Sequence, residues 1–169
     1  MGRGEMRIGI DNGISGGLVA LSDYDGSYID GIPMPIQSAR KGNEIDVMAV
    51  RAWLKQISGE DSTKVASVTI EEPGGSKSAQ ACASMAGSFH ALRTVLTLGR
   101  YRWHRVTPQA WQKVMLPCCK AGDTKKRALE YARRAWPEET FLASPRCKVP
   151  HDGMIDAALI AEYSRRMKL

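Results

Sequence analysis

The sequence predicts an α/β protein in which a five-stranded mixed sheet, made of a three-stranded antiparallel meander and two further strands, is flanked by helices. Three observations indicate this fold class. The N-terminal part contains short apolar segments separated by turns rich in glycine and aspartate. The rest alternates β-branched segments with segments whose apolar residues recur at helical spacing. A meander followed by alternating strands and helices is typical of a mixed sheet covered on both faces.

The meander is predicted to consist of residues 6–12, 16–22 and 27–33. Its first turn, NGISGG, contains Asn12, Gly13, Gly16 and Gly17. These residue types can adopt positive φ values in tight hairpin connections. Residues 34–45 show no clear hydrophobic period and are predicted to form a loop.

The segments after this loop alternate in character. Asp46 is a favourable N-cap, and the apolar residues after it recur at helical spacing as far as Ile57. The β-branched segment 65–73 predicts a fourth strand. The later elements are predicted as helix 79–98, strand 101–106, and helices 107–116, 123–136 and 152–167. This order of elements is the one expected of an RNase H-like domain.

Length and composition limit the class of protein. A chain of 169 residues fits one compact domain, predicted to span residues 1–169. It contains no run of about 18 apolar residues for a membrane span, and its N-terminus lacks the apolar region of a secretory signal. We therefore expect an intracellular protein that is neither secreted nor bound to a membrane. The four cysteines match no zinc or redox motif and are interpreted as reduced thiols: Cys82, Cys118, Cys119 and Cys147.

Positive charge is concentrated in one part of this chain, whose net charge is +6. Residues 93–134 are rich in Lys and Arg and contain only two acids, Asp123 and Glu130. Aromatic residues such as Tyr101 and Trp111 are interleaved with the basic ones. This pattern favours a nucleic-acid partner over an ordinary solvated face, where acids are usually interspersed. The candidate DNA contacts in this segment are Arg102, Arg105, Lys113, Lys120, Lys125, Lys126 and Arg127.

Acidic residues stand at the ends of three predicted elements. They are Asp11 on the first strand, Glu71 and Glu72 at the end of the fourth, and Asp152 and Asp156 on the last helix. If the first and fourth strands are neighbours, Asp11 and Glu71 lie side by side. Asp152 and Asp156 are four residues apart and therefore project from one face of their helix. Because side chains alternate along a strand, only one of Glu71 and Glu72 should face the other acids.

Acids gathered in this way repel one another strongly unless divalent cations lie between them. Oxygen ligands alone indicate Mg²⁺ or Mn²⁺. Two such ions about 3.5–4 Å apart activate a water molecule and stabilise the leaving oxygen in phosphodiester hydrolysis. Plainer roles also remain open: Asp152 as a helix cap, Asp11 as a turn residue, and Glu71 with Glu72 as a solvated strand end.

Five motifs carry a resemblance to a known family. In chain order they are IGIDNGISGGLVAL, VTIEEP, VTPQAWQKVM, DTKKRALEYARRAWP and HDGMIDAALIAEY. Together they cover most of the chain and resemble the RuvC-type Holliday-junction resolvases, especially the compact phage and chloroplast forms. The resemblance implies an RNase H-like fold and a Mg²⁺-dependent crossover junction endodeoxyribonuclease. Such an enzyme cuts a four-way DNA junction by paired symmetric nicks that leave 5′-phosphate and 3′-hydroxyl ends.

The resemblance also implies roles for individual residues. The metal ligands and catalytic acids that it implies are Asp11, Glu71, Asp152 and Asp156. Many bacterial members have an acid or histidine where this chain has Gly153, so His151 is a reserve candidate. Lys113 and Lys125 match family positions where a catalytic lysine lies near the scissile phosphate, and Lys77 resembles a position that contacts the junction.

The same resemblance implies a cofactor, partners and a location. It implies two Mg²⁺ ions per active site, which Mn²⁺ can replace, and a homodimer on the two-fold symmetric junction. The small-residue helix 79–98 is a candidate interface, or alternatively a core helix. The compartment would be the cytoplasm of a bacterial or phage-infected cell, or an organelle.

Three other functions remain open. GIDNGISGG also resembles the first phosphate loop of the actin and sugar-kinase class, although the chain contains no second glycine-rich phosphate motif. A related nuclease acting on other branched substrates or on RNA/DNA hybrids would use the same acids. A junction-binding protein without catalytic activity would use the basic segment alone.

Overall fold

The computed structural model describes residues 5–40, 42–75, 78–117 and 122–169. The strands are β1 (Met6–Asp11), β2 (Gly17–Ser22), β3 (Tyr28–Pro33), β4 (Ile36–Ala39), β5 (Gly42–Ile45), β6 (Val65–Glu71) and β7 (Trp103–Val106). The helices are α1 (Val47–Ser58), α2 (Ala79–Leu98), α3 (Pro108–Met115), α4 (Thr124–Ala135) and α5 (Asp152–Met167). A short 3-10 helix, Ser62–Lys64, precedes β6.

The main sheet has five strands in the order β3-β2-β1-β6-β7. The first three strands pair antiparallel, while β6 pairs parallel with β1 and β7 parallel with β6. This arrangement confirms the predicted α/β class and the mixed sheet built from a meander and two further strands. It also confirms that the first and fourth predicted strands are neighbours, now β1 and β6.

Hydrophobic clusters cover both faces of the sheet because successive side chains of a strand point to opposite faces. On one face Ile8 and Ile10 pack with the buried residues of α1 and α2, such as Leu54 and Leu92. The other face packs against α3, α4 and α5 in a second cluster that includes Trp111. The residues of β1 that alternate with the two isoleucines therefore face α5.

Helix α5 packs directly on β1, and Gly9 makes this close packing possible. A Cβ atom placed on Gly9 would lie 2.0 Å from the carbonyl oxygen of Ala157 and 2.5 Å from the amide nitrogen of Ala161. Both distances are far shorter than any contact that a real Cβ makes. The backbone of the helix thus touches the backbone of the strand, and no other residue type fits at position 9.

A second close approach holds the N-terminal end of α5 against the turn between β1 and β2. Gly16 forms a β-bridge with Gly153, and a Cβ on Gly153 would lie 2.3 Å from the carbonyl oxygen of Ser15. The expectation of positive φ values in this turn was wrong, because neither Asn12 nor the glycines of NGISGG adopt them. Gly16 is needed here for its lack of a side chain. The same crowding excludes an acid or a histidine at position 153.

The other end of α5 is tied to β1 by Arg7, which is almost fully buried. Its guanidinium group donates to the Ser67 hydroxyl at 3.1 Å and to the carbonyl oxygen of Ser164 at 3.4 Å, and it also pairs with Asp23. Buried charges are tolerated where they are paired and hydrogen-bonded. Helix α5 is therefore fixed to the sheet by Gly153 at its N-terminal end, by its contact with Gly9 in the middle and by Arg7 at its C-terminal end.

Several other local predictions are confirmed, and the predicted loop is wrong. Asp46 caps α1 and Thr107 caps α3, with a proline at the start of α3 as expected. The predicted loop 34–45 instead contains the antiparallel hairpin of β4 and β5, in which Ile36 pairs with Ile45. Because this hairpin lies largely on the surface, its sequence lacks the alternating apolar pattern on which strand prediction depends.

Within the described ranges, none of the helices is both long enough and apolar enough to cross a membrane. The cysteines at positions 118 and 119 lie outside the residues that the structure describes.

We expect Gly9→Ala to lower the free energy of unfolding by at least about 3 kcal/mol, because the added methyl group displaces backbone rather than a flexible side chain. Gly87→Ala is the matched control: Gly87 lies in α2, and a Cβ added there would meet no other atom within 4 Å. This control should stabilise the protein by up to about 1 kcal/mol. Urea denaturation followed by circular dichroism measures both changes, and similar values for the two variants would contradict the packing described here.

Candidate active site

Three carboxylates meet where β1 and β6 end beneath α5. Asp11 is the last residue of β1 and Glu71 is the last residue of β6. Because Ile10 pairs with Ile70 in the parallel ladder, the two acids lie at the same level on neighbouring strands and on the face that α5 covers. Asp156 lies one turn into α5, and its carboxylate is close enough for the charges of Asp11 and Glu71 to raise its pKa.

The structure distinguishes between the two adjacent glutamates. Glu71 Oε2 accepts a hydrogen bond of 2.5 Å from the indole Nε1 of Trp111, and its charge interacts with that of Asp11. Glu72 pairs instead with Arg105, with 3.2 Å between its Oε1 and the guanidinium Nε. Glu71 is therefore the one that joins the acidic cluster, as alternation along a strand requires of one of them.

The N-terminus of α5 carries the fourth acid at the edge of the cluster. His151 is the N-cap, and its Nδ1 accepts from the backbone N–H of Met154 at 3.3 Å, so the interpretation of Asp152 as the cap is wrong. Asp152 is the first residue of the helix, where a negative charge is favourable. Its Oδ2 lies 2.7 Å from Nζ of Lys125 on α4, in an ion pair that is largely exposed to solvent.

Burial changes the ionisation of Asp11. Loss of solvent raises the pKa of Asp11 to about 6, and the hydrogen bond from the Gly13 N–H, at 3.3 Å, lowers this pKa only in part. A carboxylate on a buried strand end would ordinarily need a positive partner. The neighbours of Asp11 in the cluster are instead other acids.

The two other buried acids behave in the same way. Burial raises the pKa of Glu71 to about 7; the Trp111 hydrogen bond lowers it and the charge of Asp11 raises it. Burial also raises the pKa of Asp156 to about 7, with further increases from Asp11, Glu71 and Asp152 and a decrease from Lys125. Burial therefore disfavours the charged form of all three acids, and neighbouring negative charges add to this effect at Glu71 and Asp156.

The donor set of this cluster fits a hard divalent cation. Carboxylate oxygens are the ligands that Mg²⁺ and Mn²⁺ prefer. A cation among them would offset the burial, and for Glu71 and Asp156 also the neighbouring negative charge, that raises their pKa values. Among the described residues, no group of three or more His, Cys, Asp or Glu side chains is already arranged as a metal site.

The predicted basic contacts lie on the surface. The exposed ones are Arg102, Arg105, Lys113, Lys125, Lys126 and Arg127, whereas Lys77 and Lys120 fall outside the described residues. Of the two lysines that the family resemblance singles out, Lys125 reaches the acids through Asp152. Lys113 touches none of the acids within the described part of the chain. Trp111 and Tyr101 are buried in the two hydrophobic clusters, so they are not stacking surfaces for bases.

Sequence reasoning missed two residues that hold Glu71. Trp111 contacts its side chain, and the Nδ2 of Asn12 donates to its backbone carbonyl oxygen at 2.8 Å. The Oδ1 of Asn12 is buried and makes no hydrogen bond in the described ranges. Helical spacing could have predicted that Trp111 is buried, but not that its indole N–H donates to Glu71.

The sheet order and the acids at the ends of β1 and β6 define an RNase H-like fold, and comparison with solved structures narrows this to a RuvC-type fold. One similar structure is Thermus thermophilus RuvC in complex with Holliday junction substrate, with 18% identity, 96% of each chain covered and a TM-score of 0.63. Another structure of Thermus thermophilus RuvC has 14% identity, the same coverage and a TM-score of 0.56. The fold expected from the sequence motifs is thus confirmed. The chain matches no protein-family model and no curated protein sequence.

We expect Asp156→Asn to stabilise the metal-free protein at pH 8. An acid whose pKa is higher in the folded than in the unfolded state binds its proton more tightly when folded, so its contribution to stability is lost as the pH rises from about 4 through about 7. Removing this charge should therefore raise the free energy of unfolding by an amount on the order of 2 kcal/mol at pH 8 and by very little at pH 4. Thermal melts in EDTA across this pH range measure the difference.

Asp152→Asn is the control for this experiment, since its carboxylate is largely exposed and paired with Lys125. Its weak repulsion of Asp156 is offset by the lost ion pair with Lys125, so it should stabilise the protein far less than Asp156→Asn at pH 8. A loss of stability at pH 8 for Asp156→Asn would contradict the view that the buried cluster is short of positive charge.

Proposed function

We propose that this protein is a metal-dependent, structure-selective DNA endonuclease that resolves four-way junctions by paired symmetric nicks. The observation that carries this proposal is the buried cluster of Asp11, Glu71 and Asp156 on a RuvC-type fold. A cluster of uncompensated carboxylates is unfavourable for folding alone. The chemistry that we propose for the cluster explains its placement at the end of the central strands.

The proposed metal ligands are Asp11, Glu71, Asp152 and Asp156, and Mg²⁺ is the proposed ion. Two bound Mg²⁺ ions would supply an activated water and a stabilised leaving oxygen for hydrolysis of a phosphodiester bond. Ile10 and Ile70 pair in the ladder beside Asp11 and Glu71, so the sheet holds the first two ligands in place. The α5 backbone brings the other two to them.

The basic side chains would bind the DNA backbone around this site. Lys125 is held beside the acids by its 2.7 Å contact with Asp152, where its charge could orient the scissile phosphate. Lys126 and Arg127 follow it on the exposed side of α4. Arg105 is engaged with Glu72, and its contribution to DNA binding requires that pair to be shared or broken.

The proposed substrate and assembly follow from symmetry. The similar Thermus thermophilus structure contains Holliday junction substrate. A four-way junction is two-fold symmetric, and two identical active sites in a homodimer would match two opposing strands. The buried residues of α2 are Phe89, Leu92 and Leu96, all in its second half. Its first half, rich in small residues, is therefore available as the proposed interface, and residues 1–169 would act as one nuclease domain.

We expect Glu71→Gln to abolish junction cleavage while Glu72→Gln preserves it. The two residues are adjacent and chemically identical, but only Glu71 joins the acidic cluster. Loss of an outer partner of a metal ligand costs about 10–100-fold in activity, so loss of a ligand should cost at least about 100-fold. The measurement is cleavage of a labelled synthetic four-way junction in Mg²⁺, with linear duplex and RNA/DNA hybrid as controls.

The outcomes of this experiment separate the alternatives. Faster cleavage of the hybrid would favour a nuclease of another specificity, and tight junction binding without cleavage in Mg²⁺ or Mn²⁺ would favour a binding protein. Tight binding of ATP would favour the kinase class. If Glu71→Gln cleaves the junction as fast as Glu72→Gln and the wild type do, Glu71 is not a metal ligand.

We expect Lys126→Ala to weaken binding to junctions of different sequence by the same factor, because a contact with phosphate carries no sequence information. Each lost phosphate contact should reduce the slope of log Kobs against log salt concentration by about 0.9. Lys64→Ala is the control, since Lys64 precedes β6 at the end of the strand opposite Glu71. Fluorescence anisotropy at several salt concentrations provides the slopes; an unchanged slope for Lys126→Ala would place Lys126 outside the DNA contact.

A further inference from the structure

Trp111 makes a contact that the fold does not require. Its side chain is fully buried in the hydrophobic cluster beneath α5, yet its Nε1 donates to Glu71 Oε2 at 2.5 Å. A buried indole N–H needs an acceptor, but a neutral backbone carbonyl would serve. Trp136, in the same cluster, has this simpler solution and donates to the carbonyl oxygen of Gly26 at 2.9 Å.

The surroundings of Trp111 leave its indole little freedom to move. Helix α3 begins at a proline, is capped by Thr107, and buries Trp111 and Met115. A fully buried aromatic ring in a close-packed cluster keeps one rotamer. The backbone of Glu71 is held as well, since Asn12 donates to its carbonyl oxygen at 2.8 Å. Main chain and one side-chain oxygen of Glu71 are thus both fixed by buried donors.

We propose that Trp111 is a positioning residue for Glu71: its indole N–H holds Oε2 and so fixes the orientation in which Glu71 would offer its carboxylate to a cation. The inference rests on the proposed role of Glu71 as a metal ligand. A carboxylate held through one oxygen keeps a fixed orientation, and it would then meet a bound cation without the loss of side-chain freedom that a mobile glutamate suffers. Partners of this kind orient metal ligands and influence metal affinity.

The first test observes the contact without any enzymatic assay. The chain contains four tryptophans, so a ¹⁵N-labelled sample gives four indole N–H resonances. The acceptors of the other three are Asp30 for Trp53, Thr97 for Trp103 and Gly26 for Trp136. The Trp111 resonance is assigned by elimination from Phe variants of these three.

In the metal-free protein at pH 8, Glu71→Gln should move the Trp111 resonance upfield, because a neutral amide is a weaker acceptor than a carboxylate. Glu72→Gln should move none of the four. An unmoved Trp111 resonance in Glu71→Gln would overturn the proposal, and this result does not depend on whether any Trp111 variant folds.

The second test asks whether the contact serves metal binding. Trp111→Phe keeps an aromatic ring and removes the N–H, and Trp136→Phe makes the same change in the same cluster away from Glu71. Binding of Mn²⁺, followed by the electron paramagnetic resonance signal of the free ion, should weaken about 10–100-fold in Trp111→Phe. The affinity for Mn²⁺ should change less than about threefold in Trp136→Phe, because Trp136 donates to a backbone carbonyl and not to a proposed ligand. In junction cleavage, Trp111→Phe should need correspondingly more Mg²⁺ for half-maximal rate, with the maximal rate largely regained.

The two variants and the two readouts separate the possible results. Equal weakening of Mn²⁺ binding in both variants, or none in Trp111→Phe, would assign Trp111 a structural role only and overturn the proposal. If the wild type binds Mn²⁺ but cuts no junction, the proposed function fails, while the Mn²⁺ affinities and the indole resonances still test the role of Trp111.

Discussion

The contact between the backbones of β1 and α5 is the constraint on which the rest of the structure depends. With any side chain at position 9, α5 would be pushed away from the sheet and Asp156 would move away from Asp11 and Glu71. The bridge between Gly16 and Gly153 and the hydrogen bonds of Arg7 fix the same helix at its two ends. The acidic cluster is therefore a consequence of how closely one helix lies on one strand.

This arrangement concentrates an unfavourable set of carboxylates within one small region. Three acids with pKa values raised to about 6 or 7 are kept together by two hydrophobic clusters that pack regardless of their charge. Such local conflict is typical of functional sites, where the surrounding fold offsets an unfavourable arrangement. The buried Arg7 shows the contrast, since it satisfies its charge with Asp23 and several oxygen acceptors.

The sequence predicted most of the fold because its strands and helices carry apolar residues at the proper spacing and recognisable caps such as Asp46 and Thr107. It failed at the hairpin 36–45, where exposed strands show no such pattern. Alternation predicted that one glutamate of the pair would face Asp11, but the choice of Glu71 depends on strand register. The capping by His151 and the contact between Trp111 and Glu71 arise from tertiary packing, which spacing along the chain does not encode.

The burial of α5 has a consequence for how a substrate would be selected. The residues of this helix from Met154 to Ala161 are buried, except for the half-buried Asp156, so its packed sides leave it little room to slide or tilt. Opening and closing the site by moving this helix would require unpacking the cluster around it. For the nuclease proposed here, the shape change would therefore fall on the DNA. Branched DNA that already bends sharply would meet the rigid acids at a lower deformation energy than a straight duplex.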